Sequence, residues 1–190
     1  QEGKYGEGCN DGKYTEKTVE EKKTLLYNYT YESLTALIDA GVDVGMVQVG
    51  NETNNGMAGV GASGDWTDVC KLYKKGSEAV RAVAKDKNKD ILVALHFTDP
   101  QTIGKYDEFA GKLAAKQVDY DVFASSYYPN IHGSMENLTG VLSDVAEKYN
   151  KKVVVAETAW AWTTKDGDGH SSGFNTGNNP DYSVSVQGQA

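Results

Sequence analysis

Two glutamates stand where a carboxylate is costly to leave. Glu52 follows the apolar run Val44-Gly-Met-Val-Gln-Val49, and Glu157 closes Val153-Val-Val-Ala156. A carboxylate at the end of a β-rich run needs a partner or a task, because an unpaired buried charge is strongly disfavoured. Each alone reads equally well as a helix cap or a lysine partner. Two on different strands of one sheet suggest a chemistry: a pair of carboxyl groups about 5 Å apart serves a retaining glycosidase, one protonating the leaving oxygen and one attacking the sugar. Asn51 precedes Glu52, His96 and the pair Tyr127-Tyr128 end two further apolar runs, and Trp160 and Trp162 lie just past Glu157, where their faces would suit sugar rings.

The metal-binding signals are weaker. His96 has no cysteine or second histidine at ligand spacing, so it reads first as a hydrogen-bonded structural histidine and second as a pocket residue. A metal-dependent hydrolase would need ligands on several strand ends. The loop Asp166-Gly-Asp168-Gly-His170-Ser-Ser-Gly-Phe-Asn175 alternates carboxylates with glycines, an arrangement that lets oxygens converge on a calcium ion, although it lacks the closing glutamate of an EF-hand and reads also as a solvated loop.

The elements that must position these residues follow from periodicity. Thr30 is a fitting N-cap for a helix carrying Leu34, Leu37 and Ile38, with Gly41 as its stop. Val69, Leu72, Tyr73, Gly76, Val80 and Val83 share one face of a second helix, and Ile103, Tyr106, Phe109, Ala110 and Leu113 make a third stripe. Ser134 caps a fourth, carrying Leu138, Val141, Leu142, Val145 and Tyr149. Between them run strands at 44–49, 91–97, 120–125 and 152–156. The charge run Glu16–Lys23 reads as a solvated helix face.

The order αβαβαβαβ with continuous apolar strands predicts an α/β protein with a parallel sheet buried on both faces. An open doubly wound sheet would announce a Gly-rich phosphate turn after a strand, and none is present. Polar groups at the C-terminal ends of successive strands are instead the layout of a (β/α)8 TIM barrel. Four strands are half of such a barrel, and a complete one needs about 250 residues, so the 190 here predict a partial single catalytic domain.

Composition narrows the class. The 19 Lys and Arg against 27 Asp and Glu give a net charge of −8, with no basic face, which argues against nucleic acid as a partner. The apolar runs are far shorter than the roughly 20 residues that span a bilayer. Starting at Gln1, the chain reads as an excerpt, so the lack of a signal peptide in it does not argue for the cytoplasm. Cys70 falls on the apolar face of the second helix and reads as a buried thiol, with pairing to Cys9 as the alternative.

Three segments carry a resemblance. Val47-Gln-Val-Gly-Asn-Glu-Thr-Asn-Asn-Gly56, Ser126-Tyr-Tyr-Pro-Asn-Ile-His-Gly-Ser-Met-Glu-Asn-Leu138 and Val153-Val-Val-Ala-Glu-Thr-Ala-Trp160 are similar to the signature strands of the arabinogalactan endo-β-1,4-galactanases, glycoside hydrolase family 53 of clan A. The resemblance runs from about Tyr29 to the end, where Ser185-Val-Gln-Gly-Gln-Ala190 resembles the approach to the eighth strand. It implies a (β/α)8 barrel fragment covering about strands four to seven, with Glu52 ending strand four as acid/base and Glu157 ending strand seven as nucleophile. It further implies Asn51 on the sugar 2-hydroxyl, Tyr128 orienting Glu157 with Tyr127 as its rival, and His132, His96, Trp160 and Trp162 about the substrate. Glu52 is expected to be held protonated by the charge of Glu157 until the covalent bond consumes that charge.

The implied substrate is pectic galactan, and no cofactor is needed for catalysis. A structural Ca2+ is expected at Asp166, Asp168 and His170. The implied protein is a secreted monomer. Strands one to three and eight fall outside the chain, so the isolated fragment is expected to be inactive, and the polar segment 1–22 reads as an insertion. Of the sequons at Asn28, Asn51 and Asn137, the middle one would glycosylate the proposed sugar ligand, which points to a bacterium. The alternatives are a clan A β-mannanase or xylanase, or a carbohydrate-binding relative that has lost catalysis.

Overall fold

The computed structural model describes residues 16–165, 167, 169 and 182–190. Helix α1, Val19–Asp39, begins well before the expected Thr30, which lies inside it. The reason is a capping box: Thr18 Oγ1 accepts from the Glu21 amide while the Glu21 carboxylate accepts from the Thr18 amide, so the Glu16–Lys23 run supplies the cap and first turn. Gly41, at φ +91°, ends it as expected.

Strand β1, Met46–Gln48, is followed by a 3-10 turn, Thr53–Asn55, and a small antiparallel hairpin of β2, Gly56–Met57, and β3, Val60–Gly61. Then come α2, Thr67–Asp86, β4, Leu92–Phe97, α3, Lys105–Ala115, β5, Val122–Ser126, α4, Met135–Tyr149, β6, Lys152–Glu157, and a short α5, Val186–Gln189. The expected face of α2 is buried throughout, and Ser134 caps α4 by accepting from the Asn137 amide. The third stripe is shorter than expected: Ile103 precedes the helix and is 98% exposed, because Gly104 at φ +73° starts α3 one residue later.

β1, β4, β5 and β6 form one parallel sheet in that order. Sequential parallel neighbours joined by helices describe an arc of a TIM barrel. The outer strands show it: β4 and β5 are buried, whereas Met46 on β1 and Val153 and Val155 on β6 are exposed. The core lies between the sheet and α2 to α4, where Trp66, Phe97, Phe109, Phe123 and Tyr106 stack with centroids 4.8–6.1 Å apart. Cys70 is a free buried thiol whose burial pushes it up to about 11, leaving it protonated and inert; Cys9 lies outside the described residues. Among the described residues, no helix is long and apolar enough to cross a membrane.

Candidate active site

The end of β1 is bent to present a carboxylate. Val49 still donates to Ala94 O at 2.9 Å, after which Gly50 turns at φ +83° and Glu52 takes the left-handed conformation, φ 44°, ψ 53°. Such a backbone in a non-glycine residue persists only where its surroundings fix it. Here Thr53 Oγ1 donates to His96 O at 3.1 Å, Asn54 Nδ2 donates to Thr98 O at 2.8 Å, and Asn54 Oδ1 accepts from the Thr98 amide at 2.8 Å. A methyl on Gly50 would lie 2.6 Å from Thr53 Cγ2 and 2.9 Å from Met57 Sδ. Glu52 is thereby fastened to the end of β4.

Glu157 arrives from the other side of the sheet. The β5–β6 register shifts between Ser125 and Ser126, pairing Ser126 with Glu157, and bulges of this kind re-aim side chains. Ser125 Oγ meets Tyr106 on the helix side, whereas Ser126 Oγ shares a 2.6 Å hydrogen bond with Glu52 Oε1. Two residues on, Tyr128 Oη donates to Glu157 Oε2 at 2.9 Å. Between the two carboxylates sits His96, its Nδ1 3.0 Å from Asn51 Oδ1 and its Nε2 2.8 Å from Ser126 Oγ. Glu52, His96 and Glu157 each offer an atom within 4.8 Å of the others. Nearest oxygens at this spacing put both carboxyl groups on one site.

Two side chains of the site are held away from their ordinary titration. Burial lowers the His96 imidazole below its ordinary value, against the opposing pull of Glu157 and Glu52. The hydrogen bond to Glu157 raises the Tyr128 phenol, so it keeps its proton and donates. Two carboxylates and an imidazole could hold a cation, but both His96 nitrogens are engaged by Asn51 and Ser126, and Tyr128 and Ser126 each occupy a carboxylate oxygen.

Of the residues singled out by sequence, Asn51, Glu52, His96, Tyr128 and Glu157 come together. Tyr127 points away: it is buried, and its hydroxyl donates to Gly133 O at 3.0 Å. His132 is also buried, with Nδ1 accepting from the Tyr128 amide at 3.0 Å and Nε2 3.4 Å from Thr98 Oγ1, so its ring fastens the turn that carries Tyr128. Trp160 donates from its indole nitrogen to Ser183 O at 3.0 Å, and Trp162 is exposed. Asp166, Asp168 and His170 lie outside the described residues. Sequence reasoning missed Ser126 and Gln48, whose Nε2 donates to Gly50 O and to Asn51 Oδ1. Strand parity with Tyr128 would have found Ser126.

A family model described as glycosyl hydrolase family 53 matches residues 12–190. An endo-β-1,4-galactanase of Bacillus subtilis is 54% identical over 174 residues, covering 91% of this chain and 39% of the relative. An arabinogalactan endo-β-1,4-galactanase of Cellvibrio japonicus is 31% identical over 156 residues, covering 79% and 41%. Among solved structures, the catalytic domain of a family 53 enzyme from Ignisphaera aggregans superposes with a TM-score of 0.84 at 33% identity, covering 93% of this chain and 49% of that one. The chain thus spans between two fifths and half the length of these relatives.

Proposed function

The chain belongs to glycosyl hydrolase family 53, and from that membership we propose that it carries the acid/base and nucleophile of a retaining endo-β-1,4-galactanase. The observation that carries the reading is the convergence of Glu52 and Glu157 from the ends of strands β1 and β6, with a carboxylate oxygen of each within 4.8 Å of the other and each hydrogen-bonded to its own hydroxyl.

Glu157 attacks the anomeric carbon while Glu52 protonates the departing glycosidic oxygen, leaving a galactosyl ester on Glu157. Glu52, now anionic, takes a proton from water as that water attacks the same carbon, the ester bond breaks, and the electron pair returns to Glu157. Two inversions give net retention. Tyr128 holds the Glu157 carboxylate at the attack angle through its 2.9 Å hydrogen bond. Asn51 is assigned to the sugar 2-hydroxyl, and Trp160 and Trp162 to apolar sugar faces. The substrate is the internal β-1,4 linkage of pectic galactan, met outside the cell by a secreted monomer. The galactanase names of the relatives support this choice over mannan or xylan.

The protein expressed from its full open reading frame should release product from galactan, and not from mannan or xylan, with the β-anomer appearing first in the proton NMR spectrum. First appearance of the α-anomer would contradict retention, and cleavage of mannan alone would contradict the substrate assignment.

A further inference from the structure

The hydrogen bonds around His96 fix where the protons are. Gly50 O is a backbone carbonyl and can only accept, so the Gln48 group 2.9 Å from it is the amide nitrogen. That nitrogen also lies 3.1 Å from the Asn51 side chain, which must therefore turn its oxygen toward it. The same Asn51 oxygen is 3.0 Å from His96 Nδ1, so Nδ1 carries a hydrogen. If His96 is neutral, Nε2 is then bare and accepts, and the only hydrogen available for the 2.8 Å contact is the one on Ser126 Oγ. Ser126 has a single hydrogen, yet its oxygen also lies 2.6 Å from Glu52 Oε1, a separation that needs a hydrogen between the two oxygens. It comes from Glu52. Ser126 and His96 are both 0% exposed, so solvent does not complete these bonds.

Every contact from Gln48 to Glu52 is satisfied when Glu52 is the protonated acid and His96 is the neutral Nδ1–H tautomer. The one other satisfied arrangement moves that same proton to His96 Nε2 and turns the Ser126 hydroxyl toward a Glu52 carboxylate. The charged groups facing His96 are Glu52 and Glu157, and its burial works against the imidazolium.

We propose that Ser126 and His96 are positioning residues that keep the acid proton on Glu52 in the resting enzyme and restore it during turnover. The proposal rests on reading Glu52 as the acid/base. To reach the leaving oxygen the Glu52 O–H turns out of its bond to Ser126; once that proton is transferred, the Ser126 hydrogen has two acceptors, Glu52 Oε1 and His96 Nε2, and swings to the charged one. Nε2 is left buried and unpaired, an unfavourable state that ends when Glu52 takes a proton from the attacking water and the hydroxyl swings back.

The test needs no variant for its first half. In protein expressed from the full reading frame and labelled with 15N-histidine, the His96 signals, assigned by their loss in His96→Gln, should show a protonated Nδ1 and a bare Nε2 at about pH 6, below the ordinary histidine value of about 6.5. An Nε2–H tautomer or an imidazolium there would overturn the proposal. Ser126→Ala should then cut kcat on galactan by about 10-fold or more, while an aryl galactoside whose leaving group needs no protonation loses less than about 3-fold, and Ser126→Thr should recover most of the loss. Equal losses on both substrates would mean that Ser126 only supports the fold, and would overturn it. A protein with the expected tautomer and substrate discrimination between leaving groups, but no action on galactan, would leave the proton arrangement standing and remove only the polysaccharide assignment.

Discussion

Tyr128 and Tyr127 are chemically identical neighbours, and the strand's alternation gives them different work. A hydroxyl donating to a carboxylate contributes about 1.5–3 kcal/mol, so Tyr128→Phe should lower kcat/KM by about 10- to 100-fold through loss of the bond to Glu157. Tyr127→Phe removes a bond to a backbone carbonyl and should cost about 1 kcal/mol of stability, read as a lower thermal midpoint. Equal kinetic losses in both would remove the distinction. At this scale the sequence was legible where a polar residue interrupts an apolar run, as Glu52, His96 and Glu157 do. Ser126 was not legible, because a serine within Ala-Ser-Ser-Tyr is unremarkable until its partners are known. His132 drew attention through the motif that carries the resemblance, and the fold spends it on a turn.

Helix α2 places β1 at the correct depth. Gly76 faces Val49, and an added Cβ would lie 2.5 Å from Val49 Cγ1, so Gly76→Ala forces the helix and the strand apart. Alanine favours a helix by about 1 kcal/mol over glycine, yet overpacking of this kind costs about 1–3 kcal/mol, and the clash should win. Because Val49 leads directly to Asn51 and Glu52, the variant should lose activity as well as stability; an increase in thermal midpoint with full activity would show that the strand has room to move. Helices α2 and α4 were readable from their apolar stripes. Helix α1 started earlier than expected because the capping box at Thr18 and Glu21 sits inside a charge run, where no apolar period marks it. The β2–β3 hairpin was unreadable for a different reason: its turn, Ala58-Gly59, has positive φ at both positions but lacks the Asn or Asp that usually signals such a turn.

The molecule as a whole is an arc of a barrel whose inner face gathers the reactive groups and whose buried titratable groups set its response to acid. Burial lowers both His96 and His132 below their ordinary value of 6.5, so the folded state takes up protons less readily than the unfolded chain. Stability from these two is fully present above that value and is lost as pH falls from it toward the lowered folded values. Asp119, held down chiefly by its hydrogen bond from Arg81, and Asp121, whose burial is outweighed by Arg81 and the Val93 amide, add a contribution present above 3.8 and lost only in stronger acid. Thermal midpoints should therefore begin to fall as the pH drops below about 6.5, and His132→Gln should flatten that first decline; a midpoint constant down to pH 4 would contradict it. The barrel class was legible in the order of elements, and the half-barrel extent in the count of four strands and in the resemblance. The pairing of Glu52 with Glu157 is the feature on which the functional reading stands, and azide rescue addresses it directly. In the protein from the full reading frame, Glu157→Ala should be near inactive and, with azide and an activated aryl galactoside, should yield the galactosyl azide of inverted configuration, because azide attacks from the vacated nucleophile's side. Glu52→Ala should still form the ester on Glu157 and yield the azide of retained configuration. Retained azide from Glu157→Ala, inverted azide from Glu52→Ala, or wild-type galactan hydrolysis by either variant would contradict the assignment.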